Sequence, residues 1–454
     1  MNGFSGDRKR VLARRPHAVS LAAAAAGLLL AACGGGNSTV TTLSGGGLSG
    51  TQTGQEVVLS EPKGSNTTEI VVDYGPVEAF SLGLVNVPFV TVTVCQPGGA
   101  PCATIDHVLL DTGSIGLRVL KSAVAGLVLP PVNAAPAAGG ATTGVAVECY
   151  PFVVGGLWGP VVRGDVQIGG ERAEALPLQL IDDSAAPAQA PPQDCIDAAD
   201  GTLLKSVTTL QAKGVLGVGM ISHDCGQACL GPPPPGGFVQ YYTCSGGTCA
   251  PARVPADEQL QNPVAHFSVN NNGTIIMLPA IPQTGATTVR GRLVMGIGTQ
   301  ANNQLLAQAK VVFVETDPAK TDTYLYAGVT VQGRHYPNAY IDSGSNGIFF
   351  DDPTLPRTCV SGTSEPAPWY CPSAVEQRSA TITDATGFVA PFDFSVANAD
   401  QLFSTSNVAF DNLAATPGMG SQSFVLGLPF FYGRSVYTAI WFQPLATQGP
   451  WWAF

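Results

Sequence analysis

Leu110-Asp111-Thr112-Gly113-Ser114-Ile115-Gly116 returns, 231 residues later, as Ile341-Asp342-Ser343-Gly344-Ser345-Asn346-Gly347. In both, an Asp closes an apolar run and is followed by a small hydroxyl residue, Gly and Ser. Such a run reads as a strand, and the residues after it as a tight turn. The carboxylate then stands at a strand end, where the turn's hydroxyls and backbone N–H groups can fix its orientation. Two such turns set face to face would let two carboxylates share one proton. That is an acid/base pair able to activate a water for amide hydrolysis.

Working outward, each Asp is delivered by a hairpin. Val87 to Val94, a Cys-flanked Gln-Pro-Gly-Gly turn and Thr104 to Leu110 precede Asp111. Tyr324 to Val331, a Gln-Gly turn and Tyr336 to Ile341 precede Asp342. Each turn is followed by an apolar-apolar-Gly segment, Val215-Leu216-Gly217 after 104 residues and Val425-Leu426-Gly427 after 83. A repeat this long indicates two related lobes and not a solenoid. Gly214 to Gly219 superficially resembles a phosphate loop, but no Lys follows and no βαβ context surrounds it, so nucleotide binding is rejected. Ala146 to Ile168, interrupted at Gly155-Gly156-Leu157-Trp158-Gly159, reads as a further hairpin. Phe267-Ser268-Val269 with Gly273 to Met277 reads as another, midway between the halves. Residues 182–210 and 221–262 are rich in Pro, Gly and Cys and read as surface excursions.

The composition agrees with an all-β chain. Of 454 residues, 45% are apolar, enough for two lobes of ordinary domain size. The 54 Gly and 36 Pro suit many turns better than long helices.

The N-terminus is set apart as a targeting segment. Arg8, Lys9, Arg10, Arg14 and Arg15 form a basic region, and Val19 to Ala32 a short apolar one. It ends in Leu30-Ala31-Ala32-Cys33-Gly34, which resembles the lipobox of bacterial lipoproteins, with Cys33 as the lipidated first mature residue. Residues 1–32 are then a signal peptide. Residues 33–68, rich in Gly, Ser and Thr, read as a flexible tether. Acyl chains on Cys33 would anchor the protein to a bilayer outside the cytoplasm. The expected place is the cell envelope, on the periplasmic side of an outer membrane or the cell surface; Gly34 after the Cys, in place of Asp, resembles outer-membrane sorting. Without the leader, 16 basic residues face 31 acidic ones, so nucleic acid is not an expected partner.

Ten cysteines remain beside Cys33, an even number suited to an oxidising compartment. Four pairs are close in sequence, Cys95/Cys102, Cys225/Cys229, Cys244/Cys249 and Cys359/Cys371, which would leave Cys149 for Cys195. The competing reading is a zinc site from Cys225, Cys229, Cys244 and Cys249 with His223, although these spacings match no zinc module well. No metal or cofactor is expected.

The repeated motifs resemble those of two-lobed, pepsin-like aspartic peptidases. Asp-Thr-Gly-Ser at 111–114 and Asp-Ser-Gly-Ser at 342–345 match that family's catalytic loops, and the two apolar-Gly segments match those that brace them. The resemblance covers roughly residues 70–454 in outline. It implies a pepsin-like acid-protease β-barrel fold with a cleft between related lobes, 69–275 and 276–454. It further implies a metal-free endopeptidase, monomeric, taking an extended polypeptide. Asp111 and Asp342 would be the catalytic pair. Thr112 and Ser343 would cross-bond the loops, Gly113 and Gly344 would admit backbone N–H groups, and Ser114 and Ser345 would bond the outer carboxylate oxygens. Two departures stand out. Arg118 occupies the place where the family commonly has a Trp. The 146–168 hairpin, where the family's flap should lie, lacks the usual Tyr-Gly; Tyr150 is the nearest candidate, with Phe152 and Trp158 as rivals. The alternative function is a non-catalytic relative that binds a peptide, protein or envelope component in the cleft.

Overall fold

Apolar runs punctuated by Gly, Pro and Asn become strands almost throughout. The computed structural model describes residues 50–53, 56–60, 63–139, 143–184, 189–233, 237–314, 326–357, 359, 369–417, 420–441 and 450–454. Among these, the fold is mostly β, with a large mixed sheet of 18 strands and a barrel-like sheet of seven. The few helices are short, none exceeding six residues among those described.

The large sheet takes strands from the first two thirds of the chain and then recruits the chain's end. Arg434–Ala439 pairs antiparallel with Gly273–Leu278, which also pairs with Thr288–Met295. The expected boundary at 275/276 lies inside the strand Gly273–Leu278. The seven-stranded sheet is built from residues 327–426. One hydrophobic core runs under both: Leu110, Leu117 and Leu216 from the first sheet and Ile341, Ile348 and Leu426 from the second are buried in one cluster.

Three sequence expectations are corrected. Residues 50–59, assigned to the tether, form Gly50–Thr53 and Glu56–Leu59, and the latter pairs in parallel with Thr288–Met295. Val57 and Leu59 are buried. Alternating apolar side chains gave this stretch a face to bury, which outweighs its polar composition. Phe267-Ser268-Val269 is not a strand. The chain bends there, Phe267 is buried and Val269 exposed, and Asn270 takes a positive φ of 56°. Residues 221–262 are not merely a surface excursion: Tyr241–Ser245 and Thr248–Arg253 form a hairpin, and the first strand pairs with Gly144–Phe152. Tyr241 and Tyr242 are fully buried by this pairing.

Five disulfides join Cys95–Cys102, Cys149–Cys195, Cys225–Cys229, Cys244–Cys249 and Cys359–Cys371. The sulfurs of the competing zinc reading are therefore committed to covalent bonds. Such a set of disulfides marks an extracytoplasmic protein. Among the described residues no helix is long and apolar enough to cross a membrane. The leader, Cys33 and the start of the tether lie outside the described residues.

Candidate active site

Asp111 is the last residue of the strand Gly99–Asp111, and Asp342 directly follows the strand Arg334–Ile341. Each strand is held from the side by its apolar-Gly segment. Gly214–Val218 runs parallel to the first, with Gly217 beside Asp111, and antiparallel to Ile115–Leu120. Ser423–Leu426 runs parallel to the second, with Leu426 beside Ile341, and antiparallel to Ile348–Phe349. Each Asp turn thus emerges between two strands that a third strand clamps together.

The turns bond to each other in a reciprocal pattern. The Thr112 N–H donates to Ser343 Oγ at 3.1 Å, and the Ser343 N–H donates to Thr112 Oγ1 at 2.9 Å. The two hydroxyls then donate across the pair, Thr112 to the Ile341 carbonyl at 3.3 Å and Ser343 to the Leu110 carbonyl at 2.8 Å. Around each carboxylate the bonds repeat. Gly113 N–H reaches Asp111 Oδ1 at 2.8 Å and Ser114 Oγ reaches Oδ2 at 2.5 Å. Gly344 N–H reaches Asp342 Oδ1 at 2.8 Å and Ser345 Oγ reaches Oδ2 at 2.6 Å.

The glycines are sterically required. A methyl group on Gly113 would lie 2.8 Å from the Asp342 carboxylate, and one on Gly344 would lie 2.6 Å from Asp111 Oδ1. Each turn therefore packs its backbone against the other turn's acid. The two carboxyl groups come close enough to share a hydrogen bond once one is protonated. Burial, with the charge of Asp111 added to it, pushes Asp342 up to about 8, although the Ser345 and Gly344 bonds pull the other way. Asp342 therefore binds a proton more tightly than an ordinary carboxylate.

Both acids line one pocket of roughly 170 Å³. The first half of the chain lines it with Leu109, Val215 and the hairpin-tip residues Phe152, Val153 and Val154, and the second half with Tyr340, Phe349 and Val425. The lining is apolar apart from the acids, the Ser345 turn, Gln211 and Asn346. Asn346 Oδ1 is buried with no partner among the described residues. Gln211 is held at a positive φ of 65° at the end of the short helix Val207–Leu210.

The candidate flap is the hairpin of Gly144–Phe152 and Gly155–Ile168. Its turn falls at Val153-Val154, just before the expected interruption. Tyr150 does not line the pocket; its ring lies under the Arg118 guanidinium, 3.7 Å from Cζ to the centroid. Trp158 is buried and donates its indole N–H to the Gln189 carbonyl, a packing role.

Arg118 leads to residues that the sequence reading missed. It is fully buried in the all-buried strand Ile115–Leu120. Its Nε and Nη2 donate to Glu148 at 3.1 and 2.6 Å, Nη2 also to Asp224 at 3.0 Å, and Nη1 to the Ile115 carbonyl at 2.6 Å. Tyr241 and Gln240 donate to Asp224 at 2.8 and 2.7 Å. Burial pushes Asp224 well above the usual carboxylate range, and the neighbouring Glu148 adds to this. A fully buried Arg requires buried acids, and that was the available signal; which acids depends on folding. Asn86 was also missed. It donates to the carbonyls of Asn346 and Phe410 at 3.0 and 2.9 Å, tying the Asp342 turn to the chain's first half.

A family described as protein of unknown function (DUF3443) matches residues 62–454, and the chain belongs to it. No curated protein matches the chain.

Proposed function

We propose that this DUF3443 protein is an aspartic endopeptidase of the pepsin-like kind, exported and held at the cell envelope by a lipid on Cys33. The supporting observation is the mirrored pair of turns. Two carboxyl groups face each other, each held by one backbone N–H and one Ser hydroxyl, at the floor of a single pocket.

Such a pair has what amide hydrolysis needs. The ionised member takes a proton from a water bound between the two acids, and the water oxygen attacks the peptide carbonyl carbon. The protonated member donates to the carbonyl oxygen. Collapse of the tetrahedral intermediate, with a proton passed to nitrogen, releases the amine and leaves the pair singly protonated. The raised Asp342 keeps the proton available. An extended polypeptide suits the pocket, since its apolar walls would take a side chain while the main chain lies across the acids.

The test is cleavage of an unfolded polypeptide by the purified chain between pH 3 and 7, with pepstatin as inhibitor. Cleavage that pepstatin blocks and that Asp111→Asn and Asp342→Asn each abolish supports the proposal. Cleavage surviving both substitutions overturns it. Peptide bound but uncut at every pH assigns the pocket to binding alone.

A further inference from the structure

Arg118 sits where an apolar side chain would fill the same volume more cheaply, because burying an ion pair rarely stabilises a fold beyond what hydrophobic packing achieves. Its retention there has a geometric consequence. The guanidinium edge bonds three separate segments: the Ile115 carbonyl next to the Asp111 turn, Glu148 on the hairpin and Asp224 in the 221–262 segment. The guanidinium face is left for Tyr150. A planar fork that bonds along its edge and stacks on its face fixes an aromatic ring in both direction and distance, which neither Lys nor Met can do.

The contact continues toward the pocket. The Tyr150 ring meets the Phe152 ring edge-on at 5.1 Å, and Phe152 lines the pocket with Val153 and Val154. It is the ring face of Tyr150 that the guanidinium holds. Asp111 is near enough for its charge to bear on the Tyr150 hydroxyl. The Cys149–Cys195 disulfide fastens the same strand one residue earlier.

We infer that Arg118 is a positioning residue: it couples the Asp111 turn to the 144–168 hairpin and, through Tyr150 and Phe152, sets where the hairpin tip lies over the pocket. The role in catalysis rests on the peptidase reading; the mechanical coupling does not. Glu148 and Asp224 hold the guanidinium, and Gln240 and Tyr241 hold the acids in turn.

The experiment compares Tyr150→Leu and Tyr150→Phe in the full chain by amide hydrogen exchange at residues 150–156, with Gly273–Leu278 as the internal control. Loss of the stacked ring in Tyr150→Leu speeds exchange at 150–156 by about tenfold and leaves the control unchanged. Tyr150→Phe keeps the ring and stays within about twofold of the native chain. In the cleavage assay Tyr150→Leu raises KM more than it lowers kcat. The neutral cluster Arg118→Met/Glu148→Gln/Asp224→Asn, which leaves no unpaired charge, loosens the tip as Tyr150→Leu does. The inference fails if Tyr150→Leu leaves the tip's exchange unchanged, if Tyr150→Phe loosens it equally, or if the neutral cluster keeps it slow. A native chain that cleaves nothing would sink the peptidase reading alone, because exchange still decides the coupling.

Discussion

Asp111 and Asp342 meet with no Lys or Arg bonded to either among the described residues, whereas Glu148 and Asp224 meet around the Arg118 guanidinium. Both are pairs of acids brought close in a low-dielectric setting, where two negative charges repel strongly. In the first pair burial and the facing charge push Asp342 up, and both acids take bonds only from neutral donors, hydroxyls and backbone N–H groups. In the second, burial and Glu148 push Asp224 up in the same way, but a permanent cation bonds both acids and Tyr241 and Gln240 complete their partners. The first pair opens onto the pocket, where a proton can be passed to a substrate, while the second is fully buried. The difference separates a group suited to chemistry from one suited to holding position, and Ile115–Leu120 links the two because it starts beside Ser114 and carries Arg118.

The comparison breaks most sharply at the first pair. Asp111→Asn or Asp342→Asn should lower the cleavage rate by about a thousandfold with the fold intact, measured on an unfolded polypeptide alongside circular dichroism. At the second pair the loss should fall on stability. Arg118→Met alone strands two buried acids and should cost about 3–5 kcal/mol in urea unfolding, most of it recovered by adding Glu148→Gln and Asp224→Asn. Equal loss in the single and triple variants would show that packing, not charge, dominates there.

A pH profile of stability sharpens the contrast. Asp342 binds its proton more tightly in the folded state, at about 8, than in the unfolded chain. Its contribution is therefore fully present below about pH 4 and is lost as pH rises toward 8. Asp342→Asn should remove this decline and melt about 2 °C or more above the native chain at pH 8, with no such gain at pH 4. The smallest effect is expected from Ser345→Ala. Its hydroxyl bond favours the ionised Asp342, so its loss should move the alkaline limb of the activity profile upward by about half a pH unit. A downward shift would show that the hydroxyl favours the protonated acid instead.

Much of the candidate site was legible in the chain. The Asp turns, their hydroxyls and glycines and the two bracing segments are short-range patterns, and each turn's bonds to its own acid span two or three residues. The cysteine pairs were legible for the same reason, since four of them close over 12 residues or fewer. Illegible were the partners of Arg118, which lie 30 and 106 residues away, and Asn86, which reaches 260 and 324 residues ahead. Nor did composition reveal that residues 50–59 and 241–253 would be paired in the large sheet. Their polar and Gly-rich surroundings hid short apolar faces, and only a neighbouring strand gives such a face something to cover.

The sequence by itself determined two strand-end aspartates in matching turns, because a turn's backbone and its first hydrogen bonds depend on residues a few positions apart. Tertiary structure alone decided that these turns interlock, that burial pushes Asp342 up, and that a buried arginine joins the turn to the hairpin. Desolvation and the choice of a charged partner depend on which distant segments exclude water together, and no local pattern encodes that.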